Sequence, residues 1–157
     1  MNKPLSLLAL FTTSLFLGGC LVIALTLVPF WQSMQGPVFL DYFAQWGPSI
    51  GLLMLPLSAL AQISLIMACW EAKDDKASFK WWLMSVLCFS FTLVIFVFYF
   101  ARTNMEMEHK VIDLSILSQT LVTWERLHWL RMAIVLLAIG LGVMGTLAQS
   151  RSNSKTS

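Results

Sequence analysis

Four long stretches without a charged residue constrain this chain more than any other feature. They cover residues 5–28, 48–70, 81–101 and 132–150 and are 19 to 24 residues long. As α-helices they would span roughly 28–36 Å, which matches a hydrocarbon core of about 30 Å. Strands of a membrane β-barrel would alternate polar and apolar residues, and these stretches do not. The sequence therefore predicts an all-α polytopic membrane protein, a bundle of four transmembrane helices.

The expected organisation is one transmembrane domain at 1–150 and a disordered polar tail at 151–157. The helices are predicted at about 5–28, 48–70, 81–103 and 118–148. Only 11% of the residues are charged, against about 25% in a soluble domain. A net charge of +2 argues against a nucleic-acid partner. Membrane lipid is the expected surrounding, and a homo-oligomer or a protein partner stays open.

Lysine and arginine residues predict the orientation of the bundle, because cytoplasmic segments carry the excess of them. Six lie in the termini and in the second connection, and four lie in the third connection. The first group is Lys3, Lys73, Lys76, Lys80, Arg151 and Lys155, and the second is Arg102, Lys110, Arg126 and Arg131. Both termini are therefore expected in the cytoplasm. The expected location is the bacterial inner membrane, crossed several times.

The first stretch allows two interpretations. Leu17, Gly18, Gly19 and Cys20 form the pattern at which bacterial lipoproteins are cleaved. However, the chain stays apolar for eight residues after Cys20, and this makes the run longer than the apolar part of a signal peptide, which is about 7–15 residues. An uncleaved helix is therefore expected, in which the glycines allow a neighbouring helix to approach closely.

Two functions of small four-helix membrane proteins are excluded. None of the three cysteines lies in a predicted outer loop and no Cys-x-x-Cys pair occurs, whereas a disulfide-generating quinone reductase needs paired thiols there. No acidic residue lies in the middle of an apolar stretch, whereas a proton-coupled drug exporter needs a membrane carboxylate.

The informative polar residues precede the fourth stretch. Trp124, His128 and Arg131 follow at i, i+4 and i+7, so they share one helix face. A neutral imidazole can take or give a proton, which makes His128 a candidate base. The alternatives are a structural histidine, an interfacial anchor at Arg131 and an aromatic belt residue at Trp124.

The connection between the first two stretches is rich in aromatic residues. A short interfacial helix near 38–46 would place Phe39, Tyr42, Phe43 and Trp46 on one face. These rings would either lie among the lipid headgroups or line the mouth of a site for an apolar aromatic molecule. Tyr42 and Phe43 are the substrate-binding candidates.

Two Glu-x-x-His patterns, ending at His109 and His128, have the spacing used in di-iron bundles. A di-iron centre also needs a Glu from each of two other helices, and the first two stretches contain none in their interiors. A mononuclear site at the two histidines and one carboxylate has no support from spacing. No metal and no cofactor is predicted.

Asn104 and the Trp-x-x-x-His-x-x-Arg pattern resemble those of a known family. Over about residues 5–148 the chain resembles the four-helix membrane proteins of the anthrone oxygenase-like family, also called the domain of unknown function 1772. Members have a glycine-containing first helix that ends near a proline, and a third helix that closes on an asparagine. The corresponding residues here are Gly18, Gly19, Pro29, Asn104, Trp124, His128 and Arg131. The chain departs from the family in its long connection at 105–123.

The resemblance implies a chemistry. Fungal members oxidise anthrones to anthraquinones without a metal or a flavin, and the carbanion left by removal of an acidic C–H proton can react directly with O2. His128 would be the general base. Arg131 and Asn104 would stabilise the oxyanion, and Trp124 would stack on the planar substrate.

Two functions are therefore favoured over a transporter or a metal-dependent oxidase, which also stay open. The first is cofactor-independent oxygenation of an apolar phenolic or anthrone-like compound. The second is a non-enzymatic role as a small membrane subunit or a lipid- or quinol-associated scaffold. An enzyme needs His128 to face a cavity lined also by Asn104, Trp124 and Arg131, whereas a scaffold does not.

Overall fold

The computed structural model describes the backbone of residues 3–156 and the side chains of residues 4–151. This part of the chain forms four long helices and no β-strand. Helix α1 covers 3–32, as Lys3–Val22, a π turn at Ile23–Leu27 and Val28–Gln32. Helix α2 is Gly36–Glu71. Helix α3 covers Lys76–Ile95, a π turn at Phe96–Phe100 and Ala101–Glu108. Helix α4 is Leu114–Thr156.

Each of the four helices is long and apolar enough to cross a membrane. The predicted all-α class and the number of helices able to cross a membrane are therefore confirmed. A chain with four such helices has the makeup of a multi-pass membrane protein.

The helices extend beyond their predicted bounds. Helix α2 starts at Gly36 rather than at 48, so the predicted interfacial helix at 38–46 is the first part of α2. Pro48 and Pro56 lie inside this helix, which membrane bundles tolerate because neighbouring groups satisfy the freed carbonyls. The predicted connection at 105–123 is shorter, since α4 starts at Leu114. The predicted tail at 151–157 is helical through Thr156, and Ser157 lies outside the described residues.

Local side-chain and backbone hydrogen bonds set the helix ends. Asp75 caps α3 by accepting from the backbone N–H groups of Ala77 and Ser78, at 3.1 and 3.4 Å. Lys110 adopts a left-handed φ of 57° just after α3, the usual way in which a helix closes its last carbonyls. Asp113 accepts from the N–H of Ser115 at 2.8 Å before α4, and this bond lowers the pKa of its carboxyl group.

The helices pack in chain order, each antiparallel to the next, and α4 closes the bundle against α1. The start of α1, the end of α4 and the connection 72–75 therefore lie at one end of the bundle. The connections 33–35 and 109–113 lie at the other, which we call the loop end. The buried residues form two clusters along the bundle. The small-residue half contains Ala9, Ala61, Ala68, Trp82 and Ala138. The aromatic half, towards the loop end, contains Trp31, Phe39, Phe43, Phe100 and Trp124.

Candidate functional site

A cavity of about 620 Å³ lies among the four helices in the aromatic half. This volume is typical of sites for small organic molecules. Along α3 the cavity extends from Leu93 to His109, roughly 24 Å at 1.5 Å per residue. Most of its lining is apolar. Five of the six predicted site residues line it, namely Phe43, Asn104, Trp124, His128 and Arg131.

Tyr42 is the predicted site residue that lies elsewhere. Its ring packs edge-on against Phe30, with the ring centroids 5.5 Å apart. Helical geometry explains the difference, because neighbouring residues of α2 point about 100° apart. Phe43 consequently faces the bundle, with only 4% of its surface exposed, whereas Tyr42 does not belong to the cavity lining.

His128 is buried in the wall of the cavity and its tautomer follows from its partner. Nε2 lies 2.9 Å from the backbone carbonyl oxygen of Cys20 in α1. A carbonyl can only accept, so Nε2 carries the proton and donates it. Nδ1 therefore holds a lone pair, and it has no hydrogen-bond partner among the described side chains. The geometry leaves a neutral imidazole with one unpaired basic nitrogen, which is itself buried.

Trp124 supports this imidazole. Its indole stacks on the His128 ring, with centroids 4.9 Å apart and planes 18° apart. Its Nε1–H donates to Asn104 Oδ1 at 2.9 Å. Because an indole N–H can only donate, the amide oxygen of Asn104 faces Trp124 and the amide nitrogen keeps its two donors. Trp124 thus aligns both neighbours.

The expected stacking of Trp124 on a substrate has little room. The indole is 5% exposed and is also packed edge-on against Trp31 and Phe100, at 5.5 and 5.0 Å between centroids. One face is taken by His128. The arrangement fits a residue that orients its neighbours better than one that holds a ligand.

Arg131 places a positive charge in the cavity wall. It is 8% exposed, and its guanidinium carbon lies 4.6 Å from the ring centre of Phe100 and 5.4 Å from that of Phe96. Cation–π contact offsets part of the cost of burying the charge. Among the side chains of 4–151, no carboxylate lies within ion-pair distance of Arg131, and its Nε has no partner. The cavity is therefore electrically suited to an anion or to a group that becomes one.

Two π turns flank the site, and the sequence did not predict either. The N–H of Val28 bonds to the carbonyl of Ile23, and that of Ala101 bonds to the carbonyl of Phe96, five residues back in each case. Such widened turns are frequent at functional sites. One signal was present in α1, since the ring of Pro29 would clash with the carbonyl four residues earlier in a regular helix. In α3 no residue type marks the turn.

The mouth of the cavity carries two further polar residues, Glu108 and His109. The imidazole Nδ1 of His109 lies 2.9 Å from the carbonyl oxygen of Met105. Within the part of the chain that the structure describes, no three His, Cys, Asp or Glu side chains are close enough to hold a metal ion. The two Glu-x-x-His patterns therefore do not form such a group in the described residues.

The fold and the cavity define a class, a bundle of four helices, each long and apolar enough to cross a membrane, with a buried histidine and a buried arginine beside a mostly apolar cavity. Comparison of the chain with protein families, with curated proteins and with solved structures finds no match. The resemblance to the anthrone oxygenase-like family therefore stays a prediction that rests on the residues quoted above.

Proposed function

We propose that this chain is a membrane oxygenase of the anthrone oxygenase-like type that needs no cofactor. His128 Nδ1 takes a proton from an apolar phenolic or anthrone-like compound in the cavity, and the resulting anion reacts directly with O2. Two observations within residues 4–151 carry the proposal. Nδ1 of His128 has no hydrogen-bond partner there, and Arg131, three residues further on, has no carboxylate within ion-pair distance. A base and an anion-stabilising group are the two elements that such a reaction requires.

The chemistry balances without a further reactant. The C–H bond of an anthrone-type CH2 group breaks, the proton goes to His128 Nδ1, and the electron pair delocalises onto the carbonyl oxygen. The anion adds O2 and forms a hydroperoxide with the return of the proton. Loss of water then leaves a second carbonyl group, so that one oxygen atom enters the product and the other leaves as water.

Three groups of the protein share this work. The Cys20 carbonyl holds the Nε2–H of His128 at 2.9 Å, which keeps the basic lone pair on Nδ1. Arg131 and the amide nitrogen of Asn104 supply donors for the oxyanion. The apolar lining excludes water, which strengthens each of these interactions.

The proposal includes an orientation, with both termini in the cytoplasm and the cavity towards the outer face of a bacterial inner membrane. The buried position of Arg131 supports it, because this residue no longer counts as a loop charge. The balance of basic residues then favours the terminal end by six to three.

A second candidate is the non-enzymatic one, a lipid- or quinol-associated scaffold. The observation that favours it is the long apolar lining of the cavity, which would hold a membrane amphiphile whether or not chemistry follows. In this case His128 would only bind, and its replacement by another hydrogen-bonding residue would be tolerated.

Uptake of O2 by membranes supplied with a simple anthrone decides between the two candidates. His128→Gln is the informative variant, because the Gln amide can still donate to the Cys20 carbonyl but provides no base. We expect wild-type uptake above the spontaneous rate and a loss of about 10²–10⁴-fold in the variant. Added chelator should leave the wild-type rate unchanged.

Gln149→Ala is the matched control. Gln149 is also buried and also hydrogen-bonded, to Ser6 Oγ at 3.3 Å, but it lies in the small-residue half. The Gln149→Ala variant should keep the wild-type rate of O2 uptake per mole of folded protein. Equal rates for wild type and His128→Gln would overturn the oxygenase proposal and leave the scaffold.

A further inference from the structure

One wall of the cavity opens towards the lipid-facing surface of the bundle. Leu52 and Leu55 of α2 and Met105 of α3 line the cavity, yet they are 77%, 50% and 54% exposed. A side chain that contributes to the lining and also lies on the outer surface marks an opening. The cavity is therefore accessible sideways, between α2 and α3.

A glycine lies on the α2 side of this opening. Gly51 lines the cavity, and a Cβ placed there would meet no atom of the described residues within 4 Å. Gly51 therefore leaves open space beside the exposed Leu52 and Leu55 of the same helix.

The polar groups lie on the opposite side. His128 and Arg131 belong to α4, which is diagonal to α2 because the helices pack in chain order. A bound molecule would consequently place its polar head against α4 and its apolar remainder towards the opening.

The two polar groups also define the head. The unpaired Nδ1 of His128 can accept a hydrogen bond and the guanidinium of Arg131 can donate one, and the two residues share a helix face at i and i+3. A hydroxyl group on an aromatic ring can do both at one oxygen atom. A carboxylate has no proton to give to Nδ1, and an ammonium group would be repelled by Arg131. Because Nδ1 is buried, a bound molecule must displace a neighbouring side chain to reach it.

We infer that the cavity takes a hydroxyaryl amphiphile with a flexible apolar tail, whose head lies between His128 and Arg131 and whose tail leaves past Gly51 into the lipid. This inference rests on the proposed function for the identity of the site, and it adds the tail, the sideways access and the orientation. A compact ring system alone would not need the opening.

The test is binding without O2, so that it does not depend on turnover. The probes are p-cresol and 4-nonylphenol, which share a head and differ in the tail, titrated into wild-type protein in lipid nanodiscs. Gly51→Phe fills the opening. Gly140→Phe is the matched control, because a Cβ at Gly140 also meets no described atom within 4 Å and this residue does not belong to the cavity lining.

Wild type and Gly140→Phe should bind both probes. In Gly51→Phe the affinity for 4-nonylphenol, expressed per mole fraction in lipid, should fall at least about tenfold, or roughly 1.4 kcal/mol, while p-cresol still binds. Retained binding of p-cresol also shows that the variant is folded. Gly51→Leu should give the same selectivity with a smaller loss.

Two results would overturn the inference. One is an equal effect of Gly51→Phe on both probes, including no effect on either, which would remove the opening from the binding path. The other is no binding of either probe to wild type, which would reject the hydroxyaryl head. Selective loss of the tailed probe in a protein that consumes no O2 would support the inference and overturn the oxygenase proposal alone.

Discussion

The two halves of the bundle use different residues to solve different problems. In the small-residue half, alanine, glycine and serine let the helix backbones come close, as in the hydrogen bonds from Ser78 Oγ to the Gly145 carbonyl and from Ser85 Oγ to the Ala138 carbonyl, at 2.9 and 2.7 Å. In the aromatic half, rings such as Trp31 and Trp124 meet edge-on at 5.5 Å. Both of these rings also line the cavity.

This difference separates stability from function along the helix axis. Lipid offers no hydrophobic driving force between helices, so association depends on close packing of small residues and on interhelical hydrogen bonds. The half that packs closely can therefore stabilise the bundle while the other half keeps a cavity and an uncompensated charge. Substitutions in the aromatic half should therefore lower turnover more than stability, and substitutions in the small-residue half should lower stability more than turnover.

Arg131→Met should give the largest difference between the effect on turnover and the effect on stability. Turnover should fall about 10²–10³-fold, since the main donor to the oxyanion is lost. The thermal unfolding temperature should stay equal or rise, because a buried charge without a counter-ion is removed. Both quantities are measured on one preparation, with exposed Arg126→Met as the control that loses the same charge. A lower unfolding temperature would assign Arg131 to the stabilising framework and break the comparison.

Gly145→Ala should give the reverse pattern. An added Cβ would lie 2.7 Å from Nε1 of Trp82, and a buried indole has little freedom to move. We expect a loss of about 1–3 kcal/mol in stability and unchanged turnover per folded molecule. Gly140→Ala, where the Cβ meets open space, should not destabilise. Denaturation in detergent checks both variants, and equal stabilities would mean that the two halves pack alike.

Trp124→Phe tests the alignment inside the aromatic half. The ring remains, but the donor to Asn104 Oδ1 is lost, so the amide can turn away from the oxyanion. Turnover should fall about tenfold, as expected for one hydrogen bond of roughly 1.4 kcal/mol. Trp129→Phe on the exposed side of α4 is the control. If the two variants behave alike in steady-state kinetics, Trp124 has no orienting role.

Ser85→Ala should have the smallest effect. It removes one interhelical hydrogen bond to the Ala138 carbonyl, and such bonds in membrane bundles contribute about 0.6 kcal/mol on average. The loss should appear in thermal unfolding and not in turnover. Exposed Ser14→Ala serves as the reference, and an altered rate in Ser85→Ala would show that the halves are coupled.

The sequence predicted the number of helices well, because long uncharged runs have one stable arrangement in lipid. It misplaced the helix ends for a physical reason. Pro48 predicts the start of a helix, whereas α2 begins at Gly36 and continues through this residue, as helices in a membrane can. The charges in 105–123 predict a connection, whereas α3 continues to Glu108 and α4 begins at Leu114.

The spacing of side chains along the sequence predicted the part of the site that lies on one helix. The i, i+4 and i+7 pattern placed Trp124, His128 and Arg131 on one face, and the structure has them in one cavity. The role of the Cys20 carbonyl could not be predicted, because a backbone acceptor leaves no mark in residue type. The neighbours that enclose Trp124 depend on packing between helices, which spacing within one helix does not determine.

The π turn at Phe96–Phe100 gives α3 one residue more than a regular ladder would use. The turn absorbs this residue by widening, so the parts of α3 on either side of it keep one phase. Deleting Val97, which is 63% exposed, would restore the regular ladder and leave Asn104 facing Trp124, whereas a deletion in the regular part of α3 would rotate the residues after it by about 100°. The widened turn is therefore a place where α3 can change its length without changing what its two ends face.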